Sequence, residues 1–217
     1  MYGTLVDPIG LSSELGQVVG DSDGREAARL WRLKQLEYSF RLTAMGQYAD
    51  FRWVTARALD FALASIGVSL PDGQTQILTE LYDRLEPFPD AAPALRTLAG
   101  SGYVLAVLSN GSPAMISNCL GNSGLRQFFG HQISVDEIRV FKPSPLVYRH
   151  AASRLSVPIG QVRLVTCNAF DSVGASAAGM RTAWVNRTDA PFDTIGMQPD
   201  LTVPTLDRLA EALATAR

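Results

Sequence analysis

The chain is poor in the residues that many enzyme mechanisms draw on. Of its 217 residues two are histidines, His131 and His150, and two are cysteines, Cys119 and Cys167. So few imidazoles leave little for a Ser-His-Asp hydrolase or a histidine-rich metal centre to use. The two cysteines lie far apart without metal-ligand spacing and read as reduced, partly buried thiols. No apolar run approaches the roughly 20 residues of a spanning helix. No charged-then-apolar leader is visible, so the expected location is the cytoplasm. Blocks of like charge are missing too. With a net charge of -2 and a pI near 5.7, neither nucleic acid nor a membrane surface is an expected partner.

What the chain does have is apolar residues, 47% of the total, on a length that suits one or two domains with a proper core. Their spacing changes along the sequence. Between residues 25 and 85 they recur at helical intervals: Leu30, Leu33, Leu36 and Phe40, then Val54, Ala58, Phe61 and Ala62, then Ile77, Leu81 and Leu85. Gly46 and the stretch 67–73 punctuate them, giving a block of three or four helices. From Asp90 onward short β-rich runs, at 104–108, 132–135, 162–165, 182–185 and 201–203, alternate with helical stretches. Those fall at 90–99, 113–120, 145–155, 171–178 and 205–216. Such alternation predicts an α/β, doubly wound parallel sheet, whose functional groups gather at the carboxyl ends of the strands.

Four segments fall at such ends: 2–7, 109–113, 140–145 and 166–171. In Leu105-Ala-Val-Leu-Ser-Asn-Gly-Ser-Pro113 an apolar strand runs into a helix start. Ser109 and the backbone N–H groups after it can receive an anion there, or they form an ordinary capped turn. Lys142, before Pro143, either orients a nearby carboxylate or is simply solvated. Asn168 and Asp171, in Thr166-Cys-Asn-Ala-Phe-Asp171, read either as site residues or as a turn residue and a helix cap. The small residues that follow, Ser172 to Gly179, suit a helix packed tightly on a sheet. Arg32, beside Trp31, is a solvated helix residue or a fixed cation in a cleft.

The order of these segments is more specific than any one of them. Tyr2-Gly-Thr-Leu-Val-Asp7, a helical block, Ser-Asn-Gly, Lys-Pro and Asn-x-x-Asp together resemble the haloacid dehalogenase superfamily along essentially the whole chain. The run Trp31-Arg-Leu-Lys-Gln-Leu-Glu-Tyr38, with Met45-Gly-Gln-Tyr-Ala-Asp-Phe51, is similar to the cap helices of its L-2-haloacid dehalogenase branch. The resemblance implies an α/β core of residues 1–10 and 89–217, with a helical cap of residues 11–88 inserted after the first motif. It implies hydrolysis of (S)-2-haloalkanoic acids to (R)-2-hydroxy acids through an aspartyl ester, with no metal or other cofactor. The partners are a small 2-haloacid and halide, and a homodimer is a further implication.

Residue roles follow from the same resemblance. Thr4 would hydrogen-bond the nucleophile, Arg32 with Asn110 would receive the halide, and Ser109 would bind the substrate carboxylate. Lys142 and Tyr148 would organise the charged site, and Asn168 with Asp171 would position the hydrolytic water or the lysine. Thr166 stands where the family commonly has serine and keeps its hydroxyl. Tyr2, Leu36, Phe51 and Phe170 would form the apolar wall. In the motif the nucleophilic Asp stands one residue before Met1, at the end of a first core strand, so both would lie upstream of this sequence. An unfilled central slot in the sheet is expected, and the chain as written should be inactive. A magnesium-dependent phosphatase of the same superfamily fits less well. Tyr2 and Cys167 occupy its metal-binding Asp positions and offer a hard cation no charged oxygen. A catalytically dead binding protein is the third reading.

Overall fold

The computed structural model describes residues 1–71 and 73–214. Its first residues form a tight loop in which Gly3 takes φ +82° and donates from its N–H to the Val6 carbonyl at 2.8 Å. A left-handed backbone of that kind suits glycine alone. The loop lies along residues 86–88: Asp7 N–H donates to Glu86 at 3.0 Å and Phe88 N–H to Leu5 at 2.9 Å. Arg187 fixes it from the other side, donating to the Thr4 carbonyl at 3.1 Å while its fork holds Asp90 at 2.7 and 2.9 Å.

The helical block comprises α1 (Ser12–Val19), α2 (Asp21–Ala44), α3 (Phe51–Ser65) and α4 (Gln74–Glu80). Helix α1 was not expected. Its short sequence mixes glycine and polar residues and shows little apolar period. The phase of α2 also differs from the apolar spacing. Its buried positions include Trp31, Gln35, Ser39 and Leu42, whereas Leu33 is 51% exposed. Two polar residues sit in the inward stripe because each has a buried hydrogen-bond partner there, so counting apolar residues alone misplaces the face. Phe61 and Ile77, read as inward, are likewise exposed.

Helix α5 (Ala91–Gly100) leads into the sheet region: β1 (Ala106–Ser109), α6 (Pro113–Asn122), β2 (His131–Ser134) and α7 (Pro145–Leu155). Then come β3 (Arg163–Thr166), α8 (Ala169–Ala178), β4 (Arg181–Val185), β5 (Leu201–Val203) and α9 (Leu206–Ala214). All the pairings are parallel, β1 with β2 and β3 with β4 with β5. Strand β1 starts two residues later than expected, because its ladder begins at the Ala106–His131 pair and Val104 is 77% exposed. The last two positions expected in α9 lie outside the described residues. The sheet is in two pieces, β1-β2 and β3-β4-β5, and a cavity of about 620 Å³ lies between β1 and β3.

Tight packing of α8 is realised at Gly174. A Cβ there would sit 2.6 Å from Pro143 Cβ and 2.9 Å from the Tyr148 hydroxyl. Alanine is intrinsically the better helix former by about 1 kcal/mol. Even so, Gly174→Ala is expected to lower stability by about 1–3 kcal/mol through overpacking. Urea denaturation checks it; a stabilised variant would mean that Pro143 and Tyr148 move aside freely.

Candidate active site

The carboxyl ends of β1 and β3 carry a connected polar network. Ser109, the last residue of β1, accepts from Gly111 N–H at 3.0 Å, and the next residue, Asn110, accepts from Lys142 N–H at 3.2 Å. The Lys142 ammonium donates to the Leu108 carbonyl at 3.0 Å and to Asp171 at 3.1 Å. Tyr148 donates from its hydroxyl to the other Asp171 oxygen at 2.6 Å. Lys142 and Asp171 are both buried, at 6% and 4% exposure, so their charges meet with little water between them. Burial and then the Asp171 charge hold the Tyr148 phenol far above its ordinary pKa, which keeps it a donor.

Beside β3, Thr166 accepts from Asn168 N–H at 3.1 Å, and the Asn168 amide lies 3.5 Å from the Tyr2 carbonyl. Thr4 accepts from Cys167 N–H at 3.1 Å, tying the opening loop to the same strand end. The Met1 amine is lowered to about 5, by burial first and by Lys142 second. Eight expected site residues, Thr4, Ser109, Asn110, Lys142, Tyr148, Thr166, Asn168 and Asp171, are thus gathered at these two strand ends. Asp171 does not cap α8: Asn168 holds the cap position, and the Asp171 carboxylate turns to Lys142. The cap of α6 is Ser112 rather than Ser109, accepting from Met115 N–H at 3.3 Å. Asp7, the nearest acid to the opening motif, is used locally and accepts from Ile9 N–H at 2.9 Å.

An aromatic wall adjoins the network. Tyr2 stacks on Phe51 at 5.8 Å and meets Tyr82 edge-on at 5.6 Å; Trp31 packs on Tyr82 at 5.0 Å. The hydroxyls of Tyr2 and Tyr82 are buried without a hydrogen-bond partner. Arg32 is partly buried and belongs to no ion pair among the described residues. Burial lowers its pKa, against the opposing influence of Tyr82, Tyr2 and Asp171. It donates to Gln35 at 2.7 Å; Gln35 donates to Thr55 at 2.7 Å, and Thr55 to the Phe51 carbonyl at 2.6 Å. Leu36 is half-buried on the same helix. Phe170 makes its ring contact with Phe40 at 5.0 Å rather than with Tyr2 or Phe51.

Gln35, Thr55 and Tyr82 were missed by sequence reasoning. Only Gln35 carried a signal, since it lies three residues after Arg32 on one helix face. The other titratable groups lie apart from this network. His150 pairs with Glu137 at 2.9 Å, and burial raises both thiols, Cys119 to about 12. Among the described residues no group of three or more His, Cys, Asp or Glu could hold a metal ion. No helix among them is long and apolar enough to cross a membrane.

Parallel strands, a polar network at their carboxyl ends and an aromatic wall with a buried cation define an α/β hydrolase-type architecture. The chain belongs to the haloacid dehalogenase-like hydrolases, whose family model matches residues 1–165. It is 38% identical to haloacetate dehalogenase H-2 of Moraxella sp. strain B over 99% of this chain and 95% of that protein. It is also 38% identical to the (S)-2-haloacid dehalogenase of Pseudomonas sp. strain YL, over 100% and 93%. The fold superposes on the L-2-haloacid dehalogenase of Xanthobacter autotrophicus with chloropropionic acid covalently bound. There the TM-score is 0.92 at 35% identity, covering 98% of this chain and 95% of that one.

Proposed function

We propose that this site hydrolyses (S)-2-haloalkanoic acids to (R)-2-hydroxy acids through an aspartyl ester, without a metal or other cofactor. The observation that carries the reading is Arg32, a partly buried cation without a carboxylate partner beside an aromatic wall, within electrostatic range of Asp171. A cation of that kind suits an anion that appears only during the reaction. In this reading a carboxylate just upstream of Met1 attacks C2 of the substrate, and the carbon–halogen bond breaks. The halide leaves toward Arg32 and Asn110 while Ser109 holds the substrate carboxylate. Water positioned by Asn168 and Asp171 then attacks the ester carbonyl. That releases the inverted hydroxy acid and restores the carboxylate, so one difficult displacement becomes two easier steps. Thr4 hydrogen-bonds the nucleophile, Lys142 and Tyr148 hold Asp171 in place, and Thr166 orients Asn168. Tyr2, Leu36, Phe51 and Phe170 wall the alkyl group. Residues 11–88 act as a cap over a core of residues 1–10 and 89–217.

The similarity to a dehalogenase structure that holds chloropropionic acid covalently supports the ester step. The phosphatase reading is weaker on the same residues. The buried phenol of Tyr2 and the thiol of Cys167 are both held protonated, giving a magnesium ion no anionic ligand. The 217-residue chain is expected to release no chloride from (S)-2-chloropropionate. Extended at Met1 by an apolar strand ending in Asp, it should release chloride in the presence of EDTA and form (R)-lactate. Turnover by the unextended chain, or a magnesium requirement in the extended one, would overturn the reading.

A further inference from the structure

The cavity between the half-sheets has walls of an unusual kind. Residues 104–108 on one side and 161–165 on the other line it, so β1 and β3 both turn an edge into the same space. The remaining walls are apolar and come from two separate helix pairs. Leu95, Leu98 and Leu209 come from α5 and α9, which pack on each other, and Ala151 and Leu155 come from α7, which packs on α8. Met180, just after α8, completes that side. Strand edges present backbone N–H and C=O groups at fixed spacing, and these need partners when buried. An occupant must therefore offer main-chain donors and acceptors at strand spacing, and apolar side chains toward both helical layers. An extended, continuously apolar β-strand meets both demands.

Direction and length follow from the ends of the space. Met1 and Thr4 line the cavity together with Lys142 and Asp171, at the carboxyl ends of β1 and β3. A segment entering Met1 through this space runs parallel to both strands. Five residues of wall on each side correspond to about 17 Å of extended chain. The residue joined to Met1 arrives beside the Lys142 ammonium. At that point a neutral amide costs less than a buried amine next to a cation, whose pKa is already down to about 5.

We infer that the groove between β1 and β3 is a strand-acceptor site. It takes an apolar, extended segment of about five or six residues that leads into Met1 and unites the two half-sheets. That the segment's last side chain is a carboxylate rests on the proposed function; the strand itself does not.

The test adds Val-Ala-Val-Val-Phe-Asp ahead of Met1 and compares it with the same extension ending in Asn and with a Gly/Ser extension of equal length. Amide hydrogen exchange of residues 105–108 and 163–166, thermal midpoint and chloride release are read on each. Both apolar extensions should slow exchange in both strands on the order of tenfold or more and raise the midpoint. The Asp form alone should release chloride. The free apolar hexapeptide, titrated into the 217-residue chain, gives a second route to the same protection if a fusion misfolds. Exchange no slower than in the Gly/Ser control, with fused and free strand alike, overturns the inference. Protection without chloride release upholds the strand site and removes the dehalogenase reading instead.

Discussion

Replacing Arg32 by Met in the strand-extended chain is expected to lower turnover on the order of a hundredfold, the scale of losing one electrostatic stabiliser. The thermal midpoint should stay level or rise. The two effects have the same origin. Arg32 is partly buried with a neutral partner, Gln35, and that burial already disfavours its charged form. Methionine keeps much of the apolar stem and removes the desolvated charge. The cost of holding that cation is recovered only when an anion forms beside it, in a site where charges interact far more strongly than in water. Bromide should therefore raise the midpoint of the parent protein and leave that of Arg32→Met unmoved, by linkage to the folded state. A solvated helix arginine predicts normal turnover and no difference in halide response, and either result would remove Arg32 from the site. Arg32→Lys should also be damaging, because it keeps charge but loses the fork that reaches Gln35 and the anion together.

How much of this was legible depends on where each interaction lies along the chain. The parallel α/β region was readable because runs such as 163–166 and 181–185 are dense in strand formers and bounded by helix starts. The edges were less so: residues 104 and 105 look like strand, but β2 offers them no ladder partner. Ser109, Asn110, Lys142 and Asp171 were each ambiguous locally and became specific through their order. Tyr148 followed only from resemblance, since its partner Asp171 lies 23 residues away. Gln35 and Thr55, 20 residues apart, meet only because α2 and α3 pack together, and a polar pair buried this way leaves no periodic trace. The same is true of Tyr82, whose place against Trp31 and Tyr2 is set by tertiary packing. Leu33, Phe61 and Ile77 show the converse, apolar residues at helical spacing that face outward.

Breaking the Lys142–Asp171 pair should have the largest effect on stability. Lys142→Met leaves the Asp171 carboxylate buried with only the Tyr148 hydroxyl beside it, and removing one partner of a buried pair costs about 3–5 kcal/mol. For a chain of this size, that lowers the thermal midpoint by roughly 10 °C. The double variant Lys142→Met/Asp171→Leu should regain most of the loss, because replacing both charges by apolar groups removes the desolvation cost along with the attraction. Tyr148 then keeps the Asp171-position carbonyl, now 3.2 Å away, as its acceptor. In the strand-extended chain neither variant should release chloride, although the double variant is folded. That combination separates the two roles of the pair. If the double variant stayed as unstable as the single one, the attraction between Lys142 and Asp171 would not be what holds these strand ends together. If it recovered both stability and turnover, the pair would have no part in the chemistry.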